Sequence, residues 1–274
     1  KLYYETQNQN GEFCHDSKLG CQFNKESKKI FFTIGDSIIS GLNLKNKLVE
    51  KGYQFNIFTK GNCLYYIGFD KFNFQTQKKL PCNNEYFSEI KKKLSNEKGS
   101  IILFGGNVTS QLDNSDLVLK NQKIISFKGT KSDFVPIGKY KTLQDSFRYE
   151  VSQFSKDNKI IFLYPIPEVV FHPVEEFYKK NRNQKKKLIF NDFVTTSYPF
   201  FRIRNKITFD LFDSIDNKNI IRIYPHKLFC NTIIPEKCLT HDFNSYFYID
   251  QQHLSLKGAS MVNDLIMKEI EKIE

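Results

Sequence analysis

Apolar residues gather along the chain in short runs, separated by stretches where they recur three and four positions apart. The runs fall at 29–34, 53–59, 100–104, 159–164 and 219–224, each followed closely by glycine or proline. Largely apolar runs of that length, bounded by chain breakers, read as strands of a parallel sheet covered on both faces. Helical spacing marks 38–52 (Ile38, Leu42, Leu48, Val49), 86–94 (Phe87, Ile90, Leu94) and 143–154. It returns from 255 onward, with Val262, Leu265, Ile266, Ile270 and Ile273 on one side and Ser255 available as N-cap. Residues 188–214 also read as helical, with aromatic crowding at 198–201 blurring the ends. Five strands alternating with helices predict an α/β domain whose parallel sheet is covered on both faces. Residues 1–28 are polar with little periodicity and read as an N-terminal extension or linker ahead of one domain over 29–274.

Length and composition narrow the classes. A chain of 274 residues can bury a full single-domain core. Only 8 prolines and 13 glycines exclude collagen-like or low-complexity character, and 27 Phe with 14 Tyr argue against disorder. No apolar run approaches the roughly 20 residues of a membrane helix; the best stretch, 160–171, is broken by Pro165 and Pro167. The net charge of +11 would suit an anionic partner, and the densest basic cluster lies at 179–187. A solvated loop or helix face is the plain reading of such a cluster. No zinc-finger spacing or RNA-binding aromatic signature accompanies it, so nucleic acid is not expected as a partner.

Six cysteines fall as Cys14 and Cys21, Cys63 and Cys82, Cys230 and Cys238. Nearest-neighbour pairing would close three separate short loops, although six thiols allow about 15 pairings. A reduced, buried set is the alternative. Metal ligation would want C-x-x-C spacing and nearby histidines, so no metal and no cofactor are expected. Disulfides are the favoured reading, and they imply an oxidising compartment such as the periplasm or cell surface. Lys1 begins the chain without a signal peptide, so export is expected to depend on an upstream segment.

Three strand ends carry candidate chemistry, because the functional crevice of an open α/β sheet lies beyond the carboxyl ends of its strands. Ser37 follows the first strand and opens a helix, where N–H groups favour developing negative charge. Gly61 follows the second and lets the backbone approach a bound group closely. Asn107 follows the third and can aim an amide N–H into the same crevice. Near the C-terminus, Asp250 and His253 lie three residues apart, just before the last helix. That spacing lets the carboxylate hold one imidazole nitrogen while the other faces a nucleophile. Asp36 reads as structural, behind the nucleophile. His172 and His226 read as loop residues, and nothing in the sequence brings His15 or His241 to Ser37. Asn107-Val108-Thr109 also fits a glycosylation sequon, which is short enough to arise by coincidence.

These residues resemble the motifs of SGNH (GDSL-type) hydrolases. Residues 35–41 (Gly-Asp-Ser-Ile-Ile-Ser-Gly) look like the first motif, Gly61 the second, Gly105-Gly106-Asn107 the third, and Asp250-Gln251-Gln252-His253 the fifth. The resemblance covers roughly 29–274. It implies a three-layer α/β/α, flavodoxin-like fold with a five-stranded parallel sheet. It also implies a Ser37-His253-Asp250 triad, with Ser37, Gly61 and Asn107 as oxyanion donors. Val108 stands where the third motif often has aspartate.

A narrower similarity is to the extracytoplasmic SGNH domain fused behind the membrane part of acyltransferase family 3 proteins. It rests on Cys63 shortly after the second strand, on Pro165-Ile166-Pro167-Glu168, and on Cys230 and Cys238 ahead of an aromatic run into Asp250. Ile38 stands where the fused domains commonly have histidine. The similarity implies O-acylation, usually O-acetylation, of cell-envelope polysaccharide or lipopolysaccharide. The implied partners are an acyl donor, a glycan acceptor and an upstream multi-helix membrane acyltransferase domain. The implied location is the periplasmic, extracytoplasmic face of a bacterial inner membrane. A secreted carbohydrate acetylesterase of the same fold and a non-catalytic glycan-binding module are the competing readings.

Overall fold

The five apolar runs form neighbouring strands of one sheet. The structure is a computed structural model describing residues 6–120, 123–128, 132–181 and 193–273. Its main sheet contains β1 (Cys21–Phe23), β2 (Lys29–Gly35), β3 (Tyr53–Thr59), β4 (Ile101–Phe104), β5 (Lys159–Leu163) and β6 (Ile220–Ile223), in the spatial order β1-β3-β2-β4-β5-β6. Strands β2 to β6 are parallel, and β1 pairs antiparallel with β3. The parallel strands therefore follow the flavodoxin-like order, whose direction of growth reverses between β2 and β4. A crevice opens past the carboxyl ends at that switch point.

Alternation along each strand divides the core between two layers. Phe31, Leu103, Ile161 and Leu163 face one side and pack with Val262, Ile266 and Ile270 of α8 (Leu256–Glu271). Phe32, Ile34, Ile102, Phe104 and Phe162 face the other. They meet Phe87, Ile90 and Leu94 of α3 (Asn84–Ser95) and Phe147, Val151 and Phe154 of α5 (Leu143–Phe154). On that side Phe162 stacks on Phe212 with ring centroids 4.5 Å apart. Truncating a phenylalanine buried in this way to alanine typically costs about 3–5 kcal/mol.

Four expectations need correction. The sheet has six strands, because Cys21–Phe23, inside the segment set apart as an extension, adds an edge to β3. The helix expected over 38–52 is two short ones, α1 (Ser37–Ser40) and α2 (Lys45–Glu50). Gly41 ends the first, and Asn43 lies in the left-handed region at φ 50°. Between 193 and 214 the chain forms a short strand (Thr195–Ser197), then α6 (Tyr198–Arg204) and α7 (Lys206–Asp213), which meet at Asn205. His226 is no loop residue. It opens a short helix (His226–Phe229) and is buried against Tyr198, Phe201 and Phe209, which pushes its pKa down to about 4.

The six cysteines form three bridges in nearest-neighbour pairing: Cys14–Cys21, Cys63–Cys82 and Cys230–Cys238. Within the basic cluster at 179–187, residues 182–187 lie outside the described residues. No helix among the described residues is long and apolar enough to cross a membrane.

Candidate active site

Ser37 begins α1 directly after β2, and the residue before it builds the turn. Asp36 caps α1 by accepting from Ile38 N at 2.9 Å through Oδ1, and it accepts from the Asn107 backbone N–H at 2.7 Å through Oδ2. One buried carboxylate thereby ties the end of β2 to the end of β4. Burial pushes Asp36 up to about 6, against the pull of the Asn107 and Ile38 N–H groups. Gly106 permits this approach. Its φ is 128°, and a Cβ there would meet Asp36 Oδ1 at 2.6 Å.

His253 arrives from the opposite end of the chain. Asp250 Oδ1 accepts from the backbone N–H groups of Gln252 (2.8 Å) and His253 (2.7 Å), which curls the loop into a tight turn. Its other oxygen, Oδ2, lies 2.8 Å from His253 Nδ1, and His253 Nε2 lies 2.9 Å from Ser37 Oγ. With the Nδ1 proton donated to the carboxylate, Nε2 is left to accept from the serine hydroxyl. Burial pushes the Asp250 carboxyl up, but the His253 ring and the two backbone N–H groups outweigh it and hold the group at about 2. Asp250 is therefore ionised across the physiological range. Ser255 caps α8 by accepting from Gly258 N, and Val169 N donates to Gln251 O at 2.9 Å, so both sides of the loop are anchored.

The other expected site residues lie at the same strand ends but have partners of their own. Gly61, just after β3, donates its N–H to Asp16 Oδ1 at 2.9 Å. Asn107 caps α4 (Val108–Leu112), its side chain accepting from Ser110 N at 3.3 Å. Its Nδ2 donates to Glu168 Oε1 at 3.1 Å and to Gln252 Oε1 at 3.4 Å. A small cleft beside it is lined by Ile38, Pro165, Ile166, Asn205 and Gln252 among others. A larger surface groove, lined by Asn8, Gln22, Asn56 and Lys93 among others, includes none of the motif residues. Thr109 of the sequon is 1% exposed.

Sequence reasoning missed Glu168, Gln252 and Asp16, and also Arg204, whose Nε lies 3.7 Å from Glu168 Oε2. Glu168 had one signal, its place after Pro165-Ile166-Pro167 at the exit of β5. Gln252 sits between the two residues of the Asp-x-x-His motif. Asp16 and Arg204 carry no spacing signal, because their contacts join distant parts of the chain. Among the remaining histidines, His241 is fully buried and its Nε2 accepts from Val194 N at 3.0 Å, while His15 sits 3.5 Å from Asp16 Oδ2.

The chain resembles known proteins over nearly its whole length. The periplasmic domain of the Salmonella ser. Paratyphi A lipopolysaccharide acetyltransferase is similar over 95% of this chain and 92% of that one, with 21% identity and a TM-score of 0.57. A protein described as a GDSL-like lipase from Parabacteroides merdae covers 88% of this chain and 95% of its own, with 12% identity and a TM-score of 0.42. No curated protein matches the chain significantly. The model of the SGNH domain fused to AT3 domains matches residues 5–268, and the chain belongs to that family.

Proposed function

We propose that this domain transfers an acyl group, in the first instance acetyl, to a hydroxyl of a cell-envelope polysaccharide or lipopolysaccharide by way of an acyl-serine. The observation that carries the reading is the unbroken relay Ser37 Oγ, His253 Nε2, His253 Nδ1, Asp250 Oδ2, with gaps of 2.9 and 2.8 Å, at the switch point of a family fold. Membership of a family fused to AT3 domains supports a membrane acyltransferase domain as partner. Three disulfides and the periplasmic neighbour support an extracytoplasmic location.

In the forward half-reaction His253 Nε2 takes the Ser37 proton as Oγ bonds to the acyl carbonyl carbon. The carbonyl oxygen becomes an oxyanion, received by the Ser37 and Gly61 N–H groups and one N–H of the Asn107 amide. Ionised Asp250 stabilises the imidazolium and keeps Nδ1 protonated. The donor oxygen then leaves, taking the proton from His253, and the acyl group stays on Ser37. In the second half a sugar hydroxyl gives its proton to His253 and attacks the acyl-serine, and Oγ recovers that proton on leaving. Water can replace the sugar. The side chains of His253 and Asp250 are 27% and 42% exposed, so hydrolysis competes whenever the acceptor is absent.

The test is turnover of an activated acetyl ester, with and without envelope polysaccharide, by wild type, Ser37→Ala and His253→Ala. Both variants should lose at least about a thousandfold, and peptide mass spectrometry of quenched wild type should find acetyl on Ser37. Acetyl appearing on the polysaccharide supports transfer, and release only to water supports a carbohydrate esterase. Equal rates in all three proteins would leave a non-catalytic glycan-binding module.

A further inference from the structure

We propose that Glu168, steadied by Arg204, is a positioning residue that aims the Asn107 amide at the oxyanion. The inference rests on the acyl-serine reading above and adds to it a residue that the motifs do not contain.

Every polar atom of Asn107 that could fix its orientation is held. The backbone N–H goes to Asp36, and Oδ1 accepts from Ser110 N at the start of α4. With the oxygen committed to the cap, the amide nitrogen must point the other way, toward Glu168 Oε1 at 3.1 Å and Gln252 Oε1 at 3.4 Å. A primary amide has two N–H groups. The shorter contact goes to a largely covered side chain that follows two prolines. The Glu168 side chain is 11% exposed, and the next residue is tied to the histidine loop by Val169 N to Gln251 O. The longer contact goes to a neutral amide oxygen, a weaker acceptor. Glu168 therefore fixes the rotamer, and the N–H facing Gln252 is the one a substrate oxygen can claim.

A carboxylate beside an oxyanion would by itself oppose catalysis. Arg204 supplies the compensation. Its side chain is 5% exposed, and Nε lies 3.7 Å from Glu168 Oε2. Its other nitrogens donate to Asp113 Oδ2 (2.7 Å), Ser115 Oγ (2.6 Å) and Ser115 O (2.8 Å). A guanidinium held at that many points cannot swing away, so the charge of Glu168 stays partly neutralised while its Oε1 faces Asn107. The chain of contacts runs from α6 through Arg204 and Glu168 to Asn107, and none of these links is used by the serine, histidine and aspartate relay.

The experiment is a double-mutant cycle on acetyl-ester turnover, with Ser37→Ala as control. Glu168→Ala should lower kcat about ten- to a hundredfold with KM changed less than about threefold, as expected when a transition-state donor is misplaced. Asn107→Ala combined with Glu168→Ala should be no worse than Asn107→Ala alone, within about twofold. Two further variants separate reach from charge. Glu168→Gln keeps an acceptor oxygen at the same distance and should recover most of the rate. Glu168→Asp keeps the charge but falls short of Nδ2 and should stay slow, at least about fivefold below wild type. This ordering, Gln above Asp, remains readable if Glu168→Ala does not fold. Losses that multiply in the double variant, or Asp above Gln, would overturn the positioning role. Activity surviving in Ser37→Ala would instead overturn the acyl-serine reading beneath it.

Discussion

The two halves of the site differ in how finished they are. On the nucleophile side, residues from the first parallel strand and the last loop meet at hydrogen-bonding distance, and the carboxylate that orients the imidazole is ionised. On the oxyanion side, the donors expected from Gly61 and Asn107 are engaged with acceptors of this same chain, Asp16, Glu168 and Gln252. In the mechanism proposed above, Ser37, His253 and Asp250 react from the positions they hold, whereas Gly61 and Asn107 exchange partners first. The Asn107 amide is half-buried, where N–H groups without acceptors are costly, and Glu168 and Gln252 satisfy them; the Gly61 N–H is exposed and open to water as well as to Asp16.

The largest effect that would sharpen this contrast belongs to the finished half. Asp250→Asn keeps an oxygen for the Gln252 and His253 N–H groups but turns the group facing Nδ1 into an amide. The imidazole then loses both its favoured tautomer and the charge that stabilises the imidazolium. Turnover of an acetyl ester should fall about a thousandfold with KM nearly unchanged. A loss under about tenfold would mean the relay is not used as drawn.

Next comes the hinge between the halves, Asp36, which holds both the nucleophile turn and Asn107. Its carboxyl titrates at about 6 in the folded protein, against an ordinary 3.8, so the folded state binds that proton more tightly. The stability this group contributes is complete below about pH 4 and is lost as pH rises through about 6. A separation of that size corresponds to about 3 kcal/mol. Denaturant unfolding of wild type and Asp36→Asn should show the wild type losing up to about 3 kcal/mol relative to the variant between about pH 4 and pH 7. Parallel pH profiles would show that Asp36 is ionised at no such cost.

On the unfinished half, Asn107→Ala should slow turnover about a hundredfold. It also removes the cap of α4, which costs about 1 kcal/mol of stability. Loss of stability without loss of rate would reduce Asn107 to a capping residue and erase the contrast between the two sides.

The same division runs through what the sequence made legible. The strands are readable because a parallel sheet covered on both faces needs short, largely apolar runs between chain breakers; strand 53–59 and helix 143–154 coincide with their elements to the residue. β1 is not readable. Cys21-Gln22-Phe23 is too short for any period, and its place depends on the open edge of β3. Ser37, Asp250 and His253 are legible because each occupies a position that local chain geometry defines, a strand end or the turn before a capped helix. Asp16, Glu168 and Arg204 act through contacts spanning tens of residues, which no spacing rule encodes. The meeting of Ser37, His253 and Asp250 follows from the motifs, and the groups in contact with Gly61 and Asn107 came only with the fold.

The smallest expected effect is also the most discriminating. Asp16 reaches Gly61 from a loop closed by the Cys14–Cys21 bridge, and the loop has anchors other than this carboxylate: Asp16 N donates to Thr59 O, and Lys60 Nζ donates to Asp16 O and Ser17 O. Removing the side chain should therefore leave the loop seated. Asp16 lies in the left-handed region at φ 58°, so Asp16→Gly removes the acceptor without backbone strain. The carboxylate is 62% exposed, which keeps its hold on Gly61 weak. If that hold competes with substrate, Asp16→Gly should raise kcat/KM about two- to fivefold, and Asp16→Asn, which keeps an oxygen but not the charge, should fall between. An unchanged or lower rate in a folded Asp16→Gly would mean that the Gly61 N–H does not receive the oxyanion. The idle side of the site would then comprise Asn107 and its partners, without the β3 exit.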